Sequence, residues 1–304
     1  HDIFPALSVP DIFMERVINR GHFTLFDPHE VSRVMGFHLE DYYDDDTNKA
    51  FTEKYLACEA SPDLHGIEVS ALDMMKKIMR SAVETGTPFI FFRDTTNRAN
   101  PNKHAGMIYA SNLCHEIAQN VGFTDLDEEI IQDDGSIVTR TKAGDMVTCN
   151  LNSINLGQTS DEELEENIAL QVRMLDNVIT INQFPVPETR VTSEKYRAIG
   201  LGTSGYHHYL VKHKVQWESD AHLEIADTLF ENIAYAAIKA SMELAKEKGA
   251  YPAFKGSQWE TGEYFERRGY TSERWQQLKA DVAKYGIRNG YLMAIAPTGS
   301  TSNI

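Results

Sequence analysis

Apolar positions recur along this chain with two different periods. In residues 70–85, Leu72, Met75, Ile78, Met79 and Val83 fall on one face at helical spacing with Gly86 beyond, which predicts an amphipathic helix. Asp220 to Lys248 reads as the longest helix, closed by Gly249, and residues 271–285 as another, closed by Gly286. Ser160, with Glu163 three residues on, opens a helix reaching about Asn182, ahead of Pro185 and Pro187. Near the start, Ser8 reads as a helix cap with Pro10 in the first turn and Gly21 past the end, and Asp27-Pro28-His29-Glu30 has capping-box spacing.

Between these helices lie short apolar or alternating runs. Phe89-Ile90-Phe91-Phe92, residues 137–141 and 146–154 around a Gly144-Asp145 turn, residues 196–201, and the apolar run 291–296 before Pro297 all read as strands. Asn97, Arg98, Asn100, Pro101 and Asn102 read as a loop, and residues 42–46 as a solvated polar stretch. Helices alternating with short apolar strands predict an α/β fold with largely buried strands. No repeat, low-complexity linker or shift in composition marks a domain boundary.

Composition narrows the functional classes. The 304 residues include 29 Lys+Arg against 45 Asp+Glu, a net charge of −16, and no basic run, so direct nucleic-acid binding is not expected. With 42% hydrophobic and 10% aromatic residues the chain is long and apolar enough to bury a core. No apolar run approaches the ~18–20 residues of a membrane helix. The three cysteines, Cys58, Cys114 and Cys149, include no C-x-x-C pair, which fits neither a disulfide scaffold nor a zinc site. Reduced thiols in a cytoplasmic protein are the expectation. The chain opens on His1 and stops at Ile304 after a glycine-containing turn, so both ends read as cuts in a longer protein.

Four segments are chemical candidates. If Ser111-Asn112-Leu113-Cys114-His115-Glu116 is extended, Asn112, Cys114 and Glu116 share one face, and an amide, a thiol and a carboxylate could hold a polyhydroxylated substrate. The alternatives are a half-buried loop cysteine, or a Cys114–His115 nucleophilic pair, which an extended segment would point apart. Cys149, in Thr148-Cys149-Asn150-Leu151-Asn152, reads either as a small strand filler or as a second thiol facing the same cavity. Thr298, Gly299, Ser300, Thr301 and Ser302 follow an apolar strand as a hydroxyl-rich turn, suited to an anion or to a plain helix cap. Gly200-Leu201-Gly202-Thr203-Ser204-Gly205 matches the dinucleotide fingerprint, but a helix stands where the ribose-binding acid belongs, so tight strand-to-helix packing is the better reading. Glu218 and His222 share a helix face without further ligands at metal spacing, and no metal site is expected.

Together, Ser-Asn-Leu-Cys-His-Glu-Ile (111–117), Cys-Asn-Leu-Asn-Ser-Ile-Asn-Leu-Gly (149–157) and Ala-Pro-Thr-Gly-Ser-Thr-Ser (296–302) resemble the catalytic large subunit of ribonucleotide reductase. Ile199-Gly200-Leu201-Gly202, Gly286-Ile287-Arg288-Asn289 and, near the start, Asp11-Ile12-Phe13-Met14 with Thr24-Leu25-Phe26-Asp27-Pro28 extend the resemblance over essentially the whole chain. It implies a portion of a ten-stranded α/β barrel, residues 1–304 forming part of that catalytic domain, with a central finger loop carrying Cys114 as the radical cysteine. It further implies that a Cys114 thiyl abstracts the 3′-hydrogen of a ribonucleoside diphosphate and that Glu116 takes the 3′-hydroxyl proton. Asn112 would hydrogen-bond the sugar, and Cys149 would be one of the pair that reduces the 2′ carbon and closes to a disulfide. Residues 298–302 would hold the substrate phosphates.

The resemblance also sets expectations about partners. No cofactor is expected on this chain: the radical comes from a metal-containing small subunit, electrons from an external thiol reductant of thioredoxin or glutaredoxin type, and the full enzyme is a homodimer. The second redox cysteine, the effector-binding regions and a C-terminal cysteine tail match nothing in these 304 residues, since Cys58 differs in position and neighbours. The chain alone is therefore expected to be inactive. A cobalamin-dependent (class II) reductase core and a cysteine hydrolase using Cys114 are the competing readings.

Overall fold

The computed structural model describes residues 3–303, apart from the side chain of Ser302. The chain divides into two compact units, one made of residues up to Asn100 with Met107–Ala118, the other of Pro101–Gly106 with the residues from Gln119 onward.

The first unit runs β1 (Ala6–Val9), α1 (Asp11–Ile18), β2 (His22–Phe26), α2 (Pro28–Met35), α3 (Ala50–Ala60), β3 (Gly66–Ser70), α4 (Ala71–Thr85), β4 (Phe89–Phe92) and α5 (Arg93–Arg98). β1 pairs in parallel with β4, and β2 antiparallel with β3. Local signals fix two helix starts. Asp27 accepts the Glu30 N–H ahead of Pro28, and Ser70 accepts the Asp73 N–H, caps that stabilise each helix by about 1 kcal/mol. Gly36 and Gly86 close α2 and α4 in the left-handed conformation. Val9, Phe13 and Ala71 form one core with Met75, Ile78 and Ile90, and Ile12, Phe51 and Tyr55 another.

Four expectations for this unit need correction. Ser8 pairs opposite Phe91 in β1 and caps nothing, because strand pairing claims it and Pro10 takes the cap position. Met79 and Val83 are exposed, leaving Met75 and Ile78 to carry the buried stripe of α4. Asp44 is buried: its carboxylate accepts from Thr52 N–H and Oγ1 at 3.0 and 2.6 Å, and its own N–H donates to Asp94. Asn97 and Arg98 lie in α5, not in a loop.

The second unit contains β5 (Asp125–Ile131), β6 (Ile137–Lys142), β7 (Leu151–Asn155), α6 (Leu164–Ile181), α7 (Pro187–Tyr196), β8 (Gly200–Ser204), α8 (Tyr206–Lys212), α9 (Asp220–Lys248), α10 (Gln258–Thr261), α11 (Glu263–Arg267) and α12 (Glu273–Tyr285). The long helix has the predicted bounds, and α12 starts two residues late, after Ser272. Strands fared worse. β6 pairs with the preceding β5 around residues 132–136, and the ladder of β7 begins only at Leu151. Residues 196–199 precede β8, with Tyr196 ending α7, and residues 291–296 form no strand but lie beside β8, where Leu201 N–H donates to Leu292 O at 2.8 Å and accepts in turn from Ala294 N–H at its carbonyl at 3.1 Å. The fold is mixed α/β. Its strands form four two-stranded sheets, and no closed barrel occurs among the described residues.

The core of this unit packs α6 and α9 over β7 and β8, around Ile154, Ile168, Val172, Leu201, Ala237 and Ile238. Beside it lies Asp176, fully buried, whose Oδ1 accepts from Arg197 Nε at 2.7 Å and from Arg288 Nε at 3.2 Å. Burial pushes the Asp176 carboxyl up, but Arg197, Arg288 and the Lys248 ammonium, 3.5 Å from Oδ2, together outweigh it and hold the group below its usual range. Among the described residues no helix is long and apolar enough to cross a membrane.

Candidate functional site

Cys114 sits on a turn, not in an extended row. The His115 N–H donates to Asn112 O at 3.2 Å, and His115 has φ +67°, a left-handed conformation that costs a non-glycine residue on the order of 1–2 kcal/mol. Its ring packs on Phe89 at 4.8 Å between centroids, and its Nδ1 lies 3.1 Å from Leu113 O. The period-two alternation expected for Asn112, Cys114 and Glu116 is therefore broken at this turn. The imidazole is engaged by Phe89 and Leu113, so the geometry gives no support to a Cys114–His115 pair.

The turn is braced from within. Asn112 Oδ1 accepts the Ile117 N–H at 3.1 Å, and Ser111 Oγ donates to Ile117 O at 2.6 Å. Cys114 is exposed, and two residues on, Glu116 Oε2 is buried with no hydrogen-bond partner. At the foot of the segment, Tyr109 Oη donates to Asp41 Oδ1 at 3.0 Å, and burial with this contact pushes the phenol up to about 12.

Cys149 is likewise exposed and precedes β7. It lines a cavity of about 220 Å³ with Gln119, Thr148, Asn150, Asn182 and Ser193 on its polar side and Phe184 on its apolar side. Behind it, Asp145 accepts Lys195 Nζ at 2.8 and 2.9 Å and Tyr196 Oη at 2.7 Å, and Met146 N–H donates to Thr192 Oγ1 at 2.7 Å. These contacts anchor the approach to Cys149. By contrast Cys58 is 1% exposed on α3, and burial pushes its thiol up, as for a packing residue.

The backbone turns at residues 298–302, with Gly299, Ser300 and Thr301 exposed; Thr301 Oγ1 donates to Thr298 O at 3.2 Å and Asn303 Nδ2 to Gly299 O at 3.0 Å. Thr301–Asn303 make one short 3₁₀ turn. The glycine run serves packing. A Cβ on Gly202 would stand 2.5 Å from Ala294 O, one on Gly200 would collide with Leu151, and Gly205 turns left-handed at φ +67° to enter α8. His222 Nδ1 accepts the backbone N–H of Glu218 at 3.0 Å, which uses the ring to close the loop before α9.

Sequence reading passed over the buried amides. Asn97 and Asn120 are completely buried; Asn120 Nδ2 donates to Asn102 O at 2.9 Å and to Tyr196 Oη at 3.1 Å. The signal was the run Asn97-Arg98-Ala99-Asn100-Pro101-Asn102, too rich in amides for an ordinary surface loop.

The whole chain, residues 1–304, matches the family described as ribonucleotide reductase, barrel domain. It is 48% identical to the ribonucleoside-diphosphate reductase subunit alpha of Treponema pallidum, over 100% of this chain and 36% of that protein. The Helicobacter pylori subunit alpha (strain J99) is 38% identical over 99% of this chain and 44% of its own length. The large chain from Neurospora crassa is 34% identical over 100% of this chain and 31% of its own length. The chain thus spans less than half the length of these relatives.

Proposed function

Since this chain belongs to the ribonucleotide reductase barrel-domain family, we propose that it supplies catalytic residues for reducing ribonucleoside diphosphates to deoxyribonucleoside diphosphates within a longer alpha subunit. A thiyl at Cys114 takes the hydrogen atom from C3′: the S–H bond forms, the C3′–H bond breaks, and a C3′ radical remains. Glu116 accepts the 3′-hydroxyl proton while Asn112 hydrogen-bonds the sugar. The C2′–O bond then breaks and the 2′-hydroxyl leaves as water with one proton from the cysteine pair; the pair's second proton and two electrons form the C2′–H bond and restore the C3′ radical, while Glu116 returns its proton to the 3′ oxygen. Cys149 and a second cysteine of the longer protein give up two electrons and two protons and close to a disulfide, and Cys114 returns its hydrogen to C3′. Loss of a 2′-hydroxyl is hard by ionic steps and easier beside a C3′ radical, provided the site is shielded from water.

Residues 298–302 hold the substrate phosphates through hydroxyls and backbone N–H groups. Residues 1–304 form part of a ten-stranded α/β barrel in which the Cys114 turn is the central finger loop. The radical comes from a metal-containing small subunit and the reducing equivalents from a thioredoxin- or glutaredoxin-type protein, in a cytoplasmic homodimeric enzyme.

The observation that supports this reading most is the braced turn that sets an exposed Cys114 two residues from the buried, unpartnered Glu116 Oε2. The full-length subunit with its radical-generating partner and a dithiol should form deoxynucleotide from ribonucleoside diphosphate, and Cys149→Ser should stop repeated turnover. Turnover that needs adenosylcobalamin and no second protein would move the chain to the cobalamin-dependent class. Alkylation-sensitive hydrolysis without any reductant would replace the proposal with a cysteine hydrolase.

A further inference from the structure

The feet of the Cys114 turn are held by side chains that read backbone groups as a neighbouring strand would. Asn97 is fully buried on α5. Its Oδ1 accepts the Ile108 N–H at 2.9 Å, and its Nδ2 donates to Ile108 O at 3.0 Å and to Arg93 O at 3.0 Å. Both amide protons and the carbonyl are thus committed, and the orientation is fixed because Ile108 N–H can only donate. At the other foot the task is shared: Ser111 Oγ donates to Ile117 O at 2.6 Å, and Asn112 Oδ1 accepts the Ile117 N–H at 3.1 Å. Ile108 and Ile117 are themselves buried, at 2% and 5% exposure, so each foot is an apolar anchor whose N–H and C=O are satisfied by side chains rather than by a sheet ladder. No named strand contains either residue.

We infer that Asn97 and Ser111 are positioning residues for the Cys114 thiol: they fix the two feet of its turn and thereby the placement of the sulfur. The inference rests on the proposed role of Cys114 as the hydrogen-abstracting thiol. Abstraction tolerates little displacement, since misplacing a reacting atom by about 1 Å can cost ~10²-fold in rate. Neither residue needs to touch substrate. Removing either should therefore slow chemistry with little effect on binding.

The test uses the full-length subunit with its radical-generating partner, comparing Asn97→Ala, Ser111→Ala and Ser111→Thr with wild type and Cys114→Ser. Asn97→Ala and Ser111→Ala should lower kcat by about ten- to a hundredfold with substrate KM within about twofold. Ser111→Thr keeps the hydroxyl and should restore most of the rate. Hydrogen exchange should quicken at the Ile108 amide in Asn97→Ala. Wild-type kcat in both alanine variants, or equal losses in Ser111→Ala and Ser111→Thr with a raised KM, would overturn the inference. If Asn97→Ala fails to fold, the Ser111 pair decides it. An active Cys114→Ser enzyme would remove the underlying reading along with it, and is distinguishable because it leaves the wild-type turnover intact without the thiol.

Discussion

The side-chain oxygen of Asn112 accepts the backbone N–H of Ile117 at 3.1 Å, closing a loop with Cys114 at its tip. Asn112 thus has a structural task as well as its proposed contact with the sugar, and two substitutions separate them. Asn112→Asp keeps the acceptor for Ile117 but loses the amide donor, so turnover should fall about tenfold or more while amide exchange at Ile117 stays slow. Asn112→Ala loses both, and exchange at Ile117 should quicken alongside the fall in turnover. Steady-state kinetics with exchange mass spectrometry reads both effects.

Glu116 carries an oxygen that is buried and unpartnered. If that oxygen accepts the 3′-hydroxyl proton, Glu116→Gln should lower kcat by roughly 10²–10⁴-fold, the usual contribution of a positioned general base. Substrate KM should move only a few-fold. Rates within a few-fold of wild type would exclude Glu116 as the base.

Gly202 sits where β8 meets the backbone of Ala294, with no room for a Cβ. Gly202→Ala should destabilise the protein by about 1–3 kcal/mol, the range for overpacking, measured by urea unfolding. Adding NAD or FAD should leave the unfolding midpoint unchanged, because the glycines serve packing and cradle no pyrophosphate. A midpoint raised by either nucleotide would restore the dinucleotide reading.

Asp176 meets Arg197 and Arg288 in the interior. Removing one partner of a buried ion pair is costly, so Asp176→Asn should lose about 3–5 kcal/mol in chemical unfolding. The pH dependence follows from the lowered carboxyl value in the folded state. Between the folded value and the unfolded value of about 3.9 the unfolded chain binds the extra proton. The contribution of Asp176 is therefore complete above about pH 4 and is lost as pH falls through the folded value. Wild type should lose more stability between pH 5 and pH 3 than Asp176→Asn does, as urea midpoints at the two pH values will register.

How much of this was legible beforehand divides along the range of the forces involved. The helices α2, α4, α9 and α12 were readable because apolar spacing and a closing glycine act within a few residues, joined in α2, α4 and α9 by a capping side chain. β8 was misplaced toward Tyr196 because its position depends on pairing with Leu151 to Asn155, some fifty residues away in sequence. The candidate residues were legible as chemistry. Their geometry was not: an extended 111–116 would line up Asn112, Cys114 and Glu116 on one face, whereas the His115 turn and the Asn112 brace impose a loop. Burial of Asp44 and Asn97 escaped a reading that equates polar runs with solvent, since their partners, Thr52, Asp94 and Ile108, come from other segments.

The central claim is that Cys114 abstracts hydrogen from the substrate ribose. Its most direct test is deoxynucleotide formation by the full-length subunit carrying Cys114→Ser, with the proposed radical-generating partner, a dithiol and a ribonucleoside diphosphate. No product above background should form while the protein still binds substrate, since a hydroxyl cannot take the place of the thiyl. Deoxynucleotide formation at a rate comparable with wild type would contradict it.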